Sequence, residues 1–264
     1  MGEPVRIGII GGGGWLGRAI VEAIIDAQIV AAEHLTLSYR SGQSGFLPNA
    51  TWTRDNQELV DRSEVIIVSV RPQDWPAIDI SAHGKLAMSV MAGIPVDQLA
   101  SRLKTDRIVR TLPNAAAEVR NSYTPWIGSE GITLDDRNLV RRILAACGAA
   151  DEVKSEADID YLTGLTGSGP AFPALLAAAM MDDAIGRGMS PDMARRSVSA
   201  VLIGTGKLLE ARGENPKDIV QTFLDYRGTT AAAIEAMRAS GFEAAVGDGL
   251  AAALQKSVSM GQAS

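Results

Sequence analysis

The sequence predicts an α/β region over residues 1–156, built on a doubly wound parallel sheet, followed by an all-α region over 157–264. Three observations predict this. Short apolar runs alternate with helix-length segments in the first part, the pattern of parallel strands covered by helices on both faces. A run of glycines separates the first such strand from the first helix. Beyond Asp158 the strand-like runs disappear, and Ala- and Met-rich stretches carry apolar residues three and four apart.

Taken in order, the apolar run Val5 to Ile10 reads as a buried strand, and Arg18 to Ile25 as the opening of a helix. Leu35 to Arg40 is the second strand, Ser63 to Val70 a further strand, and Arg71-Pro-Gln-Asp74 the loop that ends it. Leu86 to Met91 is a strand closed by Ala92-Gly-Ile-Pro95, and Val96 to Leu103 has helical spacing. Arg107 to Thr111 runs as a strand into Leu112-Pro-Asn114. In the second region Gly167-Ser-Gly-Pro170 signals a helix start, with Ser168 as its cap. Ser190-Pro-Asp opens another helix, whose apolar face carries Met193, Val198, Val201, Leu202 and Leu208-Leu209. Asn215-Pro216, Gly228-Thr-Thr230 and Ser240-Gly-Phe242 punctuate three more. So many apolar helices are hard to bury in one small bundle, so exchange with a second chain is expected and the second region is read as a homodimer interface.

Composition narrows the class. A formal charge of −6 and a pI near 5.1 argue against nucleic-acid and anionic-membrane partners. The single cysteine, Cys147, lies in an apolar run and reads as a small core residue in a reducing compartment. Neither His34 nor His83 has a second His or a Cys at ligand spacing, so no protein-held metal is expected. No targeting segment and no membrane-length apolar run is read, so the expected location is cytoplasmic.

The chemistry starts at Gly12-Gly-Gly14-Trp-Leu-Gly17, which fits G-x-G-x-x-G between a strand and a helix. In such a turn the first glycine permits the bend, the second lets the backbone approach a pyrophosphate, and the third lets helix and strand pack closely. This predicts a Rossmann-type dinucleotide site made by Gly12, Gly13, Gly14, Trp15 and Leu16. An NAD site usually places an acid about twenty residues further on, at the end of the second strand. Here that position reads Ser38-Tyr-Arg40-Ser41. Arg40 can hold a 2′-phosphate by charge-assisted hydrogen bonds, with Ser38 and Ser41 donating to it, so NADPH is favoured over NADH. Ligands of such sheets lie at the carboxyl ends of the strands. That draws Val70, Arg71, Pro72, Ala92, Gly93 and Asn114 into the candidate cofactor site.

The chain resembles the pyrroline-5-carboxylate reductase family over nearly its whole length. The resemblance is carried by Arg6-Ile-Gly-Ile-Ile-Gly, Ser38-Tyr-Arg-Ser41, Val70-Arg-Pro-Gln73, Ala92-Gly-Ile94 and Leu112-Pro-Asn114. Leu162-Thr-Gly-Leu-Thr-Gly-Ser-Gly-Pro-Ala-Phe172, Gly206-Lys-Leu-Leu-Glu210, Asn215-Pro216 and Gly228-Thr-Thr230 follow in the same order. It implies a Rossmann domain joined to a helical dimerisation domain, a homodimer or a larger ring, and NADPH-dependent reduction of a cyclic imino acid. It also implies site residues. Thr230 would contact the ring nitrogen as the catalytic polar group, and Gly228, Thr229 and Thr230 would hold the substrate carboxylate with their amides. Ser168 would join the substrate site. The alternative for Thr229 is a plain helix cap.

Three departures from the family pattern bear on the substrate. Asp225-Tyr-Arg227 replaces Ser-Pro-Gly before Gly228, Ala115-Ala116 replaces Thr-Pro, and the phosphate loop has an additional glycine. Asp225 and Arg227 either pair with each other or solvent, or Arg227 enters the pocket as a second carboxylate contact. Other readings therefore stand beside proline formation: a different cyclic imine, or a non-catalytic NADP-binding regulatory protein. A β-hydroxyacid dehydrogenase is disfavoured, because Pro173 occupies the position where that chemistry needs a lysine.

Overall fold

The computed structural model describes residues 4–40 and 45–262; Ser41 lies outside the described residues. In chain order the strands are β1 (Ile7–Ile10), β2 (Leu35–Ser38), β3 (Thr51–Thr53), β4 (Val65–Val68), β5 (Leu86–Ser89), β6 (Ile108–Thr111), β7 (Ser122–Gly128) and β8 (Gly148–Glu152). The helices are α1 (Trp15–Asp26), α2 (Asn56–Asp61), α3 (Val96–Leu103), α4 (Leu134–Ala146), α5 (Glu156–Leu162), α6 (Ala171–Gly186), α7 (Pro191–Arg212), α8 (Pro216–Asp225), α9 (Thr229–Ala239) and α10 (Phe242–Gln262).

The strands form one sheet in the order β3-β2-β1-β4-β5-β6-β7-β8. Every neighbouring pair is parallel except β6 with β7, where Arg110 stands opposite Ile127. The doubly wound expectation therefore holds, with one antiparallel turn and three strands, β3, β7 and β8, that the apolar-run pattern did not mark. Alternate strand residues feed two cores. Ile7, Ile9, Leu35, Leu37, Ile67 and Met88 pack with Ala19, Ile20 and Ile24 of α1 and Ile143 of α4. Ile10, Ile66, Val68 and Ala87 pack with Leu59 and Val60 of α2 and Leu99 and Leu103 of α3. Because both faces are covered, Ile-Gly-Ile-Ile and Val-Ile-Ile-Val are continuous apolar runs rather than alternating ones. Cys147 sits in the first core, and burial pushes its thiol up to about 11, so it is a packing residue.

The chain divides into two compact units, one of Met1–Ser168 with Ala252–Ser264, the other of Gly169–Ala251. In the first, the buried guanidinium of Arg110 on β6 pairs with Glu156 at 2.9 Å and Asp160 at 2.5 Å. Asp160 also accepts from Ser257 Oγ near the end of α10, and Glu156 accepts from the Val96 amide at the start of α3. The second unit is α6 to α9 with the first part of α10. Its helices begin where turn chemistry marks them: Ser190 caps α7 with Pro191 at its first position, and Asn215 caps α8 before Pro216. Two expected caps are corrected. Ser168 does not cap α6; its amide and hydroxyl both donate to the Thr163 carbonyl, closing a π-helical turn over Thr163–Gly167. Nor does Thr229 cap α9, since it is the first helical residue and Gly228 is the cap.

Candidate functional site

The strand order reverses between β1 and β4, and this is where an open parallel sheet leaves a crevice at its carboxyl edge. A cleft of about 640 Å³ opens there, lined by residues following β1, β2, β4 and β5. Its floor is the glycine turn. Gly11, not Gly12, makes the bend: its φ is +80°, and a side chain there would collide with the Ser69 carbonyl. The additional glycine thus shifts the fingerprint one residue towards the strand. Gly17 behaves as expected, because a Cβ on it would lie 2.5 Å from the Gly11 carbonyl oxygen and 3.0 Å from Gly12 Cα. Gly14 caps α1 with no side-chain hydrogen bond, which leaves the amides of the first turn free to receive an anion. Gly11, Gly13, Gly14, Trp15 and Leu16 all line the cleft.

Ser38, at the end of β2, is buried and accepts a 3.3 Å hydrogen bond from the Gly11 amide, tying the second strand to the turn. Arg40 and Arg71 reach the mouth of the cleft, and both bind Asp74. Arg40 Nη1 donates to Oδ1 at 2.9 Å, and Arg71 Nε to Oδ2 at 2.8 Å. The hydrogen bond from Arg71 holds the Asp74 carboxyl below the usual carboxylate range, and the bond from Arg40 adds to this. Val70 lines the cleft, while Pro72 opens the short helical turn that presents Asp74.

Several lining residues were not singled out by sequence reasoning: Gly11, Tyr39, Trp52, Arg54, Asn56 and Asp74. Tyr39 and Trp52 meet edge-on at 6.0 Å between centroids, and the Arg54 guanidinium lies 5.3 Å from the Tyr39 ring centre. The signal for Asp74 was present in its spacing, three residues beyond Arg71 in a loop at a strand's carboxyl end. Trp52 and Arg54 belong to or follow β3, too short a strand to announce itself.

Other predicted residues are placed elsewhere. Gly93, with Ala92, forms the loop after β5; a side chain at Gly93 would meet Met260 Cβ at 2.8 Å, so the end of α10 shapes this loop. The Asn114 amide group is engaged within the protein, Oδ1 accepting from Ala116 N and Nδ2 donating to the Thr166 carbonyl, both at 2.9 Å. In the helical unit, Tyr226, Arg227 and Gly228 connect α8 to α9. Gly228 caps α9 without a side-chain hydrogen bond, so the Thr229 and Thr230 amides have no capping partner. Arg227 keeps a left-handed φ of +52°. Asp225 accepts from Gln221 Nε2 at 2.8 Å, and among the described residues no ion pair joins Asp225 to Arg227. Tyr226 is 86% exposed.

A glycine turn at a topological switch point, an uncapped helix behind it and guanidinium groups at the cleft mouth define a nicotinamide-dinucleotide-binding protein of the Rossmann class. Gly11 and Gly17 let the turn and helix close up against Ser69 and against each other. Gly13 and Gly14 present bare backbone to the cleft, a Cβ on Gly13 meeting nothing nearer than Trp52 at 3.8 Å, so the residues present fit the pyrophosphate of NADPH.

Comparison with known proteins takes the identification one step further. Residues 156–260 match the family described as pyrroline-5-carboxylate reductase dimerisation, and residues 6–93 match one described as NADP oxidoreductase, coenzyme F420-dependent. The chain is 31% identical to pyrroline-5-carboxylate reductase 3 of Rattus norvegicus over 93% of its own length and 92% of that protein. It is 28% identical to the pyrroline-5-carboxylate reductase of Synechocystis over 98% and 99%. In fold it is similar to the Plasmodium falciparum pyrroline carboxylate reductase solved with NADP bound: TM-score 0.85, 22% identity, 98% and 99% of the two chains covered. The chain belongs to the pyrroline-5-carboxylate reductase family.

Proposed function

We propose that this protein reduces a cyclic imino acid with NADPH, converting 1-pyrroline-5-carboxylate to L-proline. The observation that carries the reading is the glycine cradle opening onto Arg40 and Arg71, in a chain that follows the reductase family along nearly its full length. NADPH in this cleft supplies a hydride to the carbon of the C=N bond. The chain's own residues supply position. The first-turn amides of α1 hold the pyrophosphate, and the arginines hold the 2′-phosphate. Residues 1–156 act as the cofactor domain and 157–264 as the dimerisation and substrate domain.

A protonated cyclic imine is already electrophilic, so orientation contributes more than acid catalysis. In this reading the amides of Thr229 and Thr230 receive the substrate carboxylate, the Thr230 hydroxyl contacts the ring nitrogen, and Arg227 adds a further carboxylate contact; Ser168 is proposed as a substrate-binding residue on the family resemblance. The family match to a dimerisation region supports a homodimer; assembly of that dimer into a larger ring is proposed on the family resemblance alone. Among the described residues no helix is long and apolar enough to cross a membrane, which fits the cytoplasmic location proposed here.

The test follows NADPH absorbance with pyrroline-5-carboxylate, its six-membered analogue and pyrroline-2-carboxylate. Fast turnover of pyrroline-5-carboxylate, lowered about 10–100-fold in Thr230→Val, is the expected result, the size of one hydrogen bond to a charged group. Preference for another imine assigns the loop at Asp225–Arg227 to a different substrate. Tight NADPH binding with no turnover of any imine overturns the enzymatic reading.

A further inference from the structure

We propose that Asp74 sets the balance between NADPH and NADH, by competing with the cofactor's 2′-phosphate for Arg40 and Arg71. The inference rests on the cleft's being a nicotinamide dinucleotide site. Four charged side chains line it: Arg40, Arg54, Arg71 and Asp74. The carboxylate draws together two cations from different parts of the sheet, Arg40 after β2 and Arg71 after β4. It already occupies, in charge and in donor geometry, the role a phosphate monoester would take between them.

The donor count shows what competition entails. Arg71 uses Nε and Nη2 on Asp74, and Arg40 uses Nη1. A phosphate arriving with a charge of about −1.5 to −2 must either take these donors from Asp74 or settle on the remaining ones beside a like charge. Both routes weaken 2′-phosphate binding. A cofactor with a free 2′-hydroxyl meets no such conflict, because both guanidinium groups keep Asp74 as their partner. Arg54, which has no ion pair among the described residues and lies against Tyr39, leaves the rim with a surplus positive charge that still favours the phosphate. Asp74 therefore tempers a preference for NADPH. Sequence alone places no acid at the end of β2; the loop after β4 supplies one from the other side of the cleft.

Both ion pairs are largely exposed on the arginine side, so each resists displacement only weakly, about fivefold at most. The experiment is calorimetric titration of the full-length protein, wild type and Asp74→Asn, with 2′,5′-ADP and with 5′-AMP. The two probes differ only in the 2′-phosphate and report no turnover. Expected is about three- to tenfold tighter binding of 2′,5′-ADP by Asp74→Asn, with 5′-AMP unchanged within about twofold. Asp74→Ala should match it, showing that the lost charge is what counts. Unchanged or weaker 2′,5′-ADP binding in both variants, with a wild-type melting temperature, overturns the proposal and makes Asp74 only a brace for the arginines. Failure of the wild type to bind either probe overturns the cofactor reading of the cleft itself, and this proposal with it.

Discussion

The two units handle apolar surface in opposite ways. In the sheet unit, strands and helices cover each other within one chain, and Trp75 and Trp126 are completely enclosed. In the helical unit, α6 has no buried residue across its length, and α7 buries only Ala194 and Val198. Leu175 is 73% exposed and Ile203 60%, with Val201, Met193 and Phe223 also open. Both units are apolar in sequence, but only the first is a finished core. A helix apolar around its circumference is stable in water only when something covers it. The second unit is thus half of an interface, which gives the proposed homodimer a physical reason independent of any relative.

The largest expected effect breaks this contrast directly. On a lone chain, Leu175→Asp with Ile203→Asp changes exposed positions and should shift stability by no more than about 0.5 kcal/mol each. In a homodimer the same changes bury uncompensated carboxylates, at several kcal/mol. The expected outcome is loss of the dimer by light scattering and a melting temperature lower by about 10 °C or more. A double variant that melts and sediments like the wild type would mean that the exposed apolar face is not an interface.

How much was legible follows the same division. Continuous apolar runs announced β1 and β4, buried on both faces. Strands β2, β5 and β6 were marked by short apolar segments between helix-length stretches, although each also buries polar residues: Thr36 and Ser38, Ser89, and Arg110 and Thr111. Helix α3 was read with the bounds it has, Val96–Leu103. The missed strands lack that signature: β3 has three residues, β8 is Gly-Ala-Ala-Asp-Glu with its side chains half in water, and β7 carries Pro125. At the cofactor cleft, the glycine turn, Arg40 and the Arg71–Asp74 spacing are local features of the sequence, whereas the pairing of Asp74 with Arg40 is made only by the fold, which brings Arg40 from another strand. Ser168 was misread because Gly-Ser-Gly-Pro is good cap chemistry, and a π-helical turn that absorbs the serine leaves no local trace.

A smaller effect sharpens the comparison through charge. In the sheet unit Asp136 is buried, accepts from Arg107 at 3.0 Å and 2.5 Å, and closes a capping box with Thr133. Burial pushes its carboxyl up, but the hydrogen bonds from Arg107 and Thr133 outweigh this and hold it below the usual carboxylate range. With the folded value depressed, the contribution to stability is complete above the unfolded value near pH 4 and is lost as pH falls through the folded one. Asp136→Asn should cost about 1–2 kcal/mol at neutral pH in urea denaturation, and the gap to wild type should close below about pH 4. Among the described residues Asp183 in the helical unit pairs only with its helical neighbour Arg187, and both are exposed. Asp183→Asn should leave the curve unmoved at any pH, since exposed pairs of this kind contribute little. An equal response at the two sites would erase the distinction between a closed unit and an open one.

The smallest effect concerns the one place in the helical unit where backbone strain meets the proposed chemistry. Arg227 sits at a φ of +52° directly before the uncapped start of α9, a conformation that costs a side-chain-bearing residue about 1 kcal/mol. Its guanidinium has no ion pair among the described residues, and Tyr226 beside it is almost fully in solvent. Strain retained at such a position is expected where the side chain is used for something other than stability. Arg227→Gly should relieve the backbone and, after the entropy a glycine loses on folding, stabilise by about 0.5 kcal/mol. If Arg227 grips the substrate carboxylate, KM for the imino acid rises while kcat holds, the signature of binding lost equally in ground and transition states. A rise in stability with KM untouched would place Arg227 outside the substrate site and leave the amides of Thr229 and Thr230 to hold the carboxylate alone.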